Sequence, residues 1–246
     1  MSIKLISIGE AAKKMNISID TLRRWDKSER FVAVRKSGKR FYRESDVDDF
    51  LKKADISTSD LFKIAEDWVS SKNPIEPEDI FYCQNSLIFQ SRVIKFEKNL
   101  SEIPELKNTF PLISAIIGEV GNNSFDHNLG NWTDISGIFF GYDLEKKEVA
   151  LADRGQGILK TLKRVKPELV SDEQALKVAF TEIISGRAPE ARGNGLKFVK
   201  KIVIENDIKL LFKTGSARLD LKKGDIGLDI QKENNYTQGC LVLINF

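Results

Sequence analysis

The sequence predicts an α+β chain in two unequal parts, a small helical head with a short hairpin and a larger body of helices and strands. Three observations carry this expectation. Residues 1–53 hold 14 Lys and Arg against 8 Asp and Glu, a balance of +6, whereas the rest hold 25 against 28, a balance of −3. The head packs two short amphipathic segments and a glycine-tipped hairpin into little space, while residues 101–246 alternate longer apolar segments with glycine-rich turns. At 246 residues the chain has room for one small and one larger core. A basic head on a slightly acidic body points to a polyanionic partner for the head.

The totals exclude several classes. Hydrophobic content of 41% and charged content of 30% are those of an ordinary globular chain. There is no apolar run of membrane-spanning length, and the start MSIKLISIGE lacks the charged, apolar and small-residue regions of a signal peptide. A cytoplasmic protein without a membrane partner is expected. Cys83 and Cys240 stand alone, with no second ligand at metal spacing, so neither a disulfide nor a zinc site is predicted.

Within the head, Ile8 to Met15 reads as an amphipathic helix, Asn16-Ile17-Ser18 as a turn, and Asp20 to Trp25 as a second helix capped by Ser18. Phe31–Val34 and Arg40–Tyr42 read as strands around a Lys36-Ser37-Gly38-Lys39 tip, and Asp46–Leu51 as a third helix capped by Ser45. This order closely resembles the winged helix-turn-helix of the MerR and excisionase group. The resemblance implies binding to double-stranded DNA, with the second helix in the major groove and the wing on the backbone or in the minor groove. On that basis Ser18, Thr21, Arg23 and Arg24 face DNA, and Leu22 and Trp25 pack inward. Arg35, Lys36, Lys39, Arg40, Tyr42 and Arg43 are the expected phosphate ligands.

Residues 54–100 read as a helical linker. Ser57 to Asp60 can cap a helix carrying Leu61, Ile64, Ala65 and Trp68; residues 72–77 form a loop; and Asn85–Leu100 is a second amphipathic helix. A homodimer interface in this segment stays open.

The larger body is organised around Ile116–Asn128. Leu112, Ile113, Ile116, Ile117 and Val120 give a helix starting near Pro111 its apolar face, and Glu119, Asn123 and His127 stack a carboxylate, a carboxamide and an imidazole beside it. Alone, that triple also fits an ordinary exposed face. Two later segments change its weight: an apolar strand ending in Asp153-Arg154-Gly155-Gln156-Gly157-Ile158, and a helix opened by Arg192-Gly193-Asn194-Gly195-Leu196.

Together, in this order, the three segments resemble the GHKL ATP-binding fold of gyrase, Hsp90, sensor histidine kinases and MutL, the anti-sigma-factor serine kinases being nearest. The resemblance spans roughly residues 85–246. It implies an α/β sandwich, a mixed sheet with helices on one face, holding ATP and Mg²⁺. Asp153 would read the adenine amino group, and Gly155, Gly157 and Ile158 would turn the chain beneath the base. Gly193, Asn194, Gly195 and Leu196 would open a helix onto the phosphates, Asn123 would ligate Mg²⁺, and Glu119 would activate water or a substrate hydroxyl. His127, Arg192 and Thr237 are further phosphate candidates.

Between Ile158 and Gly193 a lid is expected, with helices over Lys160–Leu169 and Asp172–Ile184 and a loop carrying Arg187. Ile208–Lys213, Ala217–Leu221 and Gly239–Phe246 read as strands. The only histidine is His127, inside the nucleotide motif, which argues against an ordinary histidine autokinase. The reading is an ATP-hydrolysing DNA-binding regulator in which Mg-ATP governs lid closure, dimerisation and DNA occupancy. A serine kinase acting on a protein partner, or a nucleotide sensor without turnover, are the alternatives.

Overall fold

The computed structural model describes residues 4–15, 17–27, 31–48, 61–183 and 194–246. The chain divides into two compact units, Met1–Asp60 and Leu61–Phe246. Both are α+β. Among the described residues no helix is long and apolar enough to cross a membrane.

The first unit runs β1 (Leu5–Ser7), α1 (Ile8–Met15), α2 (Ile19–Lys27), β2 (Val34–Lys36), β3 (Lys39–Arg43) and α3 (44–48). A capping box starts α1: the Glu10 carboxylate accepts from Ser7 N and Oγ, both at 2.8 Å, and Glu10 N donates to Ser7 Oγ. The sheet order is β1-β3-β2, antiparallel throughout. Ser37 (φ 49°) and Gly38 (φ 73°) make the two-residue turn between β2 and β3, both in the left-handed region that matches strand twist. Ala11, Ala12, Met15, Leu22, Trp25, Tyr42 and Val47 form the core. The third helix is already formed at 44, so Ser45 lies inside it rather than capping it.

The second unit contains α4 (Leu61–Ser70), β4 (Tyr82–Cys83), α5 (Ser86–Ser101), α6 (Phe110–Asn128), β5 (Ile138–Asp143), β6 (Glu148–Asp153), α7 (Gly157–Leu162), α8 (Asp172–Thr181), α9 (Gly195–Glu205), β7 (Lys209–Leu221) and β8 (Asp229–Asn245). Its sheet has the order β4-β5-β6-β8-β7, and every ladder is antiparallel where mixed directions were expected.

Helices cover both faces of this sheet, not one. Val149, Ala150, Leu151 and Ala152 are all at most 3% exposed, so β6 buries side chains on both sides and needs two covers. Phe140, Leu151, Val242 and Ile244 lie in the main core with Phe89 and Phe96 of α5, Ile116 and Ile117 of α6, and Val199 of α9. Phe139, Ala150, Ala152 and Leu241 pack against Leu61, Ala65 and Trp68 of α4. Burying each large apolar side chain contributes about 1.5–3 kcal/mol. The helices of the expected linker are therefore layers of the larger unit. Lys213, 8% exposed, adds a polar tie from β7 to Glu66 of α4 at 2.9 Å.

Other boundaries also differ from the sequence reading. Lys209–Leu221 form one long strand instead of two, with its register shifted at Gly215 (φ 56°). Asp172 causes the bulge: its Oδ2 accepts from Ser216 N at 2.9 Å and Oγ at 3.0 Å, and its carboxylate fills the space a side chain on residue 215 would need. The helix expected over Lys160–Leu169 starts earlier and ends at Leu162.

Candidate functional site

In the larger unit, α6 presents two adjacent stripes to two different turns. The stripe read from the sequence meets α9. A Cβ built on Gly195 would stand 2.5 Å from Glu119 Oε2 and 3.5 Å from Asn123 Nδ2, so both half-buried side chains lie against the amino end of that helix. Asn194 precedes it without a side-chain cap bond, and Leu196 packs against the main core. Arg187, Arg192 and Gly193 lie outside the described residues.

The next stripe, Ser124 and Asn128, meets the end of β6. Asp153, 2% exposed, accepts from Ser124 Oγ at 2.7 Å, Gly155 N at 2.9 Å and Asn128 Nδ2 at 3.3 Å. Burial pushes the Asp153 carboxyl up from its ordinary range, against the hydrogen bonds from Ser124, Gly155, Asn128 and the Cys240 backbone amide. Asn128 Oδ1 accepts from Gln156 N at 2.9 Å, and the Asn128 side chain occupies the space beside Gly155 where a Cβ would go. Gly157 has φ 73°; Ile158 N donates to Thr214 Oγ1 at 3.2 Å, and Thr214 Oγ1 donates to Gly239 O at 2.8 Å. The carbonyl of His127 accepts from Gln156 Nε2 at 3.1 Å.

Arg154, inside the same turn, points away from this ring to hold α4. Its guanidinium donates to the carbonyls of Trp68, Val69 and Ser71 and to Asp134 at 2.7–3.1 Å. The Arg154 hydrogen bond holds the Asp134 carboxyl below its ordinary range. Thr237 does not stand ahead of a strand as expected. It lies within β8 opposite Gly215 and is 5% exposed, so the phosphate role is not supported by its placement. Among the described residues no three His, Cys, Asp or Glu side chains gather as a metal site.

In the head, Ser18 Oγ accepts from Thr21 N at 2.9 Å and so caps α2. Leu22 and Trp25 are buried, which leaves Arg23 and Arg24 on the exposed face of α2; Arg23 Nη1 donates to Asp20 at 2.8 Å. Lys36, Lys39 and Arg43 are exposed on the hairpin. Tyr42 corrects the sequence reading. Strand alternation turns it inward, where it is 1% exposed, stacks on Phe31 at 5.4 Å and donates its hydroxyl to Leu22 O at 3.2 Å. Arg35 and Arg40 both bind Asp26.

Residues 7–42 match the family model described as MerR family regulatory protein. Residues 7–42 of the first unit thus carry a MerR-type helix-turn-helix, a fold that suits a DNA-binding regulator. No curated protein matches the chain. The match covers α1, α2 and nearly all of the MerR-type hairpin, and stops short of α3.

Sequence reasoning missed Asp26, Ser124, Asn128, Arg154, Gln156, Thr214 and Gly239. For Ser124 and Asn128 a signal existed: they repeat the four-residue spacing of Glu119 and Asn123 one position further round the helix. Thr214 and Gly239 had none, because they meet the turn only through the β7–β8 ladder.

Proposed function

We propose that the chain is a DNA-bound, cytoplasmic regulator whose larger unit binds ATP with Mg²⁺ and hydrolyses it, nucleotide occupancy setting DNA occupancy. The observation that carries this reading is the convergence of Glu119 and Asn123 on Gly195 at the amino end of α9. An 11-residue helix offers its first N–H groups and the positive end of its dipole to phosphate oxygens there. The absence of a side chain at 195 is what lets the Glu119 carboxylate come this close to the opening of the helix.

The residues present fit the expected groups. Asn123 would give its carboxamide oxygen to Mg²⁺, whose charge would offset that of the phosphates. Glu119 would orient and deprotonate water. Asp153 would accept the adenine amino group in place of its longest partner, Asn128 at 3.3 Å. The glycine-bounded turn 155–157 keeps the chain low beside it, and the resemblance of these segments to the GHKL set supports the same assignment.

The test follows labelled γ-phosphate during incubation of the full chain with ATP and Mg²⁺, with and without duplex DNA, beside Glu119→Ala and Asn123→Ala. Free phosphate released by the native chain and lost in both variants is expected. Label moved onto a protein would favour the serine-kinase alternative, and a chain that does not bind ATP would overturn the nucleotide reading.

A further inference from the structure

Asp26 stands in the last turn of α2 and is held from the hairpin side. Its side chain is 4% exposed. Ala33 N donates to Oδ1 at 2.9 Å, while Arg35 Nη2 and Arg40 Nε both donate to Oδ2 at 2.6 Å. Arg35 and Arg40 face each other directly across the β2–β3 ladder. Like charges at opposed positions repel, so the hairpin alone would splay the two guanidinium groups.

Asp26 supplies the missing counter-charge from beneath. Burial pushes its carboxyl up, but the Ala33 amide, Arg40 and Arg35 outweigh burial and hold it below the ordinary carboxylate range, so it is charged at neutral pH. A guanidinium has five N–H donors. Arg40 gives Asp26 its Nε, Arg35 one terminal nitrogen, and the remaining donors belong to side chains 31% and 55% exposed.

We propose that Asp26 is a positioning residue for DNA binding, which sets Arg35 and Arg40 as one paired clamp for a backbone phosphate and ties that clamp to the carboxyl end of α2. This rests on the head being a DNA-binding module. The clamp fixes how the helix is seated without reading bases. Asp26 does not touch the phosphate and acts only through the two arginines.

Simple charge counting gives the opposite sign, which makes the idea easy to break. Asp26 brings a negative charge to a surface that meets a polyanion, so a bystander carboxylate would weaken binding and its removal would tighten it. Asp26→Asn keeps the shape and the acceptor for Ala33 N. The measurement is binding of the full chain to a fluorescent 20-base-pair duplex of mixed sequence, followed across a salt series, for the parent, Asp26→Asn, Arg35→Gln/Arg40→Gln and the triple variant.

The proposal expects Asp26→Asn to bind roughly tenfold more weakly, with the slope of log K against log salt shallower by about one, the loss of one phosphate contact. It expects the triple variant to match the double. Tighter binding by Asp26→Asn, or an equal further loss when it is added to the double variant, would overturn it. A parent chain that does not bind the duplex would instead overturn the DNA reading itself. Should Asp26→Asn fail to fold, the Arg40 Nε–H resonance of the unmodified chain is followed as duplex is added: a shift supports the clamp, and an unmoved resonance overturns it.

Discussion

The contacts that fix the candidate DNA-facing side chains are short in sequence. Ser18 meets Thr21 and Arg23 meets Asp20 three residues away, and Arg40 meets Asp26 across fourteen. In the larger unit the corresponding separations are 25 for Asn128 with Asp153, 29 for Ser124 with Asp153, 25 for Thr214 with Gly239 and 86 for Arg154 with Trp68. A site assembled locally depends on a few residues at a time. A ring closed by distant segments makes each member answer for several elements at once, and its formation waits on the whole sheet.

The largest difference between the two units is expected at a glycine. Gly239 has φ 71°, and a Cβ there would stand 2.2 Å from Asp153 O and 2.6 Å from Gly155 N. Gly239→Ala is expected to destabilise the larger unit by more than about 3 kcal/mol, since backbone strain and overlap with buried backbone add. Denaturant unfolding of the larger unit measures the loss. DNA binding by the same variant reports on the head, and a head that fails together with the ring would refute the division into two units.

A second effect is intermediate and differs in sign between the units. Asp26 has a lowered folded pKa, so its contribution is present above the ordinary value of 3.8 and is lost as pH falls through the folded value. Asp153 has a raised one, so its contribution is present below 3.8 and is lost as pH rises through the folded value. Acid should weaken the Asp26 linkage and relieve Asp153, while Asp134 and Glu173, both lowered, act in the larger unit in the same sense as Asp26. Asp153→Asn can keep Ser124, Gly155 and Asn128 as partners, with its amide donating to Ser124 Oγ, and is expected to leave the larger unit at least as stable at neutral pH. Chemical denaturation between about pH 3 and pH 8 checks both slopes. A clear loss on Asp153→Asn at neutral pH would show that the charge itself holds the ring.

The smallest effect is at a positive-φ glycine of the head. Gly38 has φ 73° with nothing within 4 Å of a built Cβ, so Gly38→Ala meets only conformational strain, about 1 kcal/mol. Thermal unfolding of the head measures it. A loss as large as that at Gly239 would mean the hairpin tip is packed more closely than its open surroundings imply.

Local rules carried the head well. The Ser18 cap, the inward Leu22 and Trp25 and the glycine tip follow from propensity, spacing and turn chemistry within a few residues. They failed at Tyr42, where strand alternation sends an aromatic inward although the next residue, Arg43, is cationic and exposed. In the larger unit α5, α6, α8 and α9 fall where periodicity places them. The two-residue β4 and the strand β5 escaped the reading, since such short apolar runs are claimed only by their partners.

The two-part plan, the basic balance of the head, the cap and inner face of α2, and the polar stripe Glu119, Asn123 and His127 are all written in the order of residues along the chain. Only the tertiary structure decided that the sheet is antiparallel throughout, that α4 is its second cover, and that Asp153 is enclosed by Ser124 and Asn128 while Glu119 and Asn123 turn to Gly195. The reason is physical. Caps, turns and helical stripes are fixed by neighbours along the chain, whereas strand direction, layer order and the partner of a buried carboxylate are fixed by which distant surfaces must be hidden together.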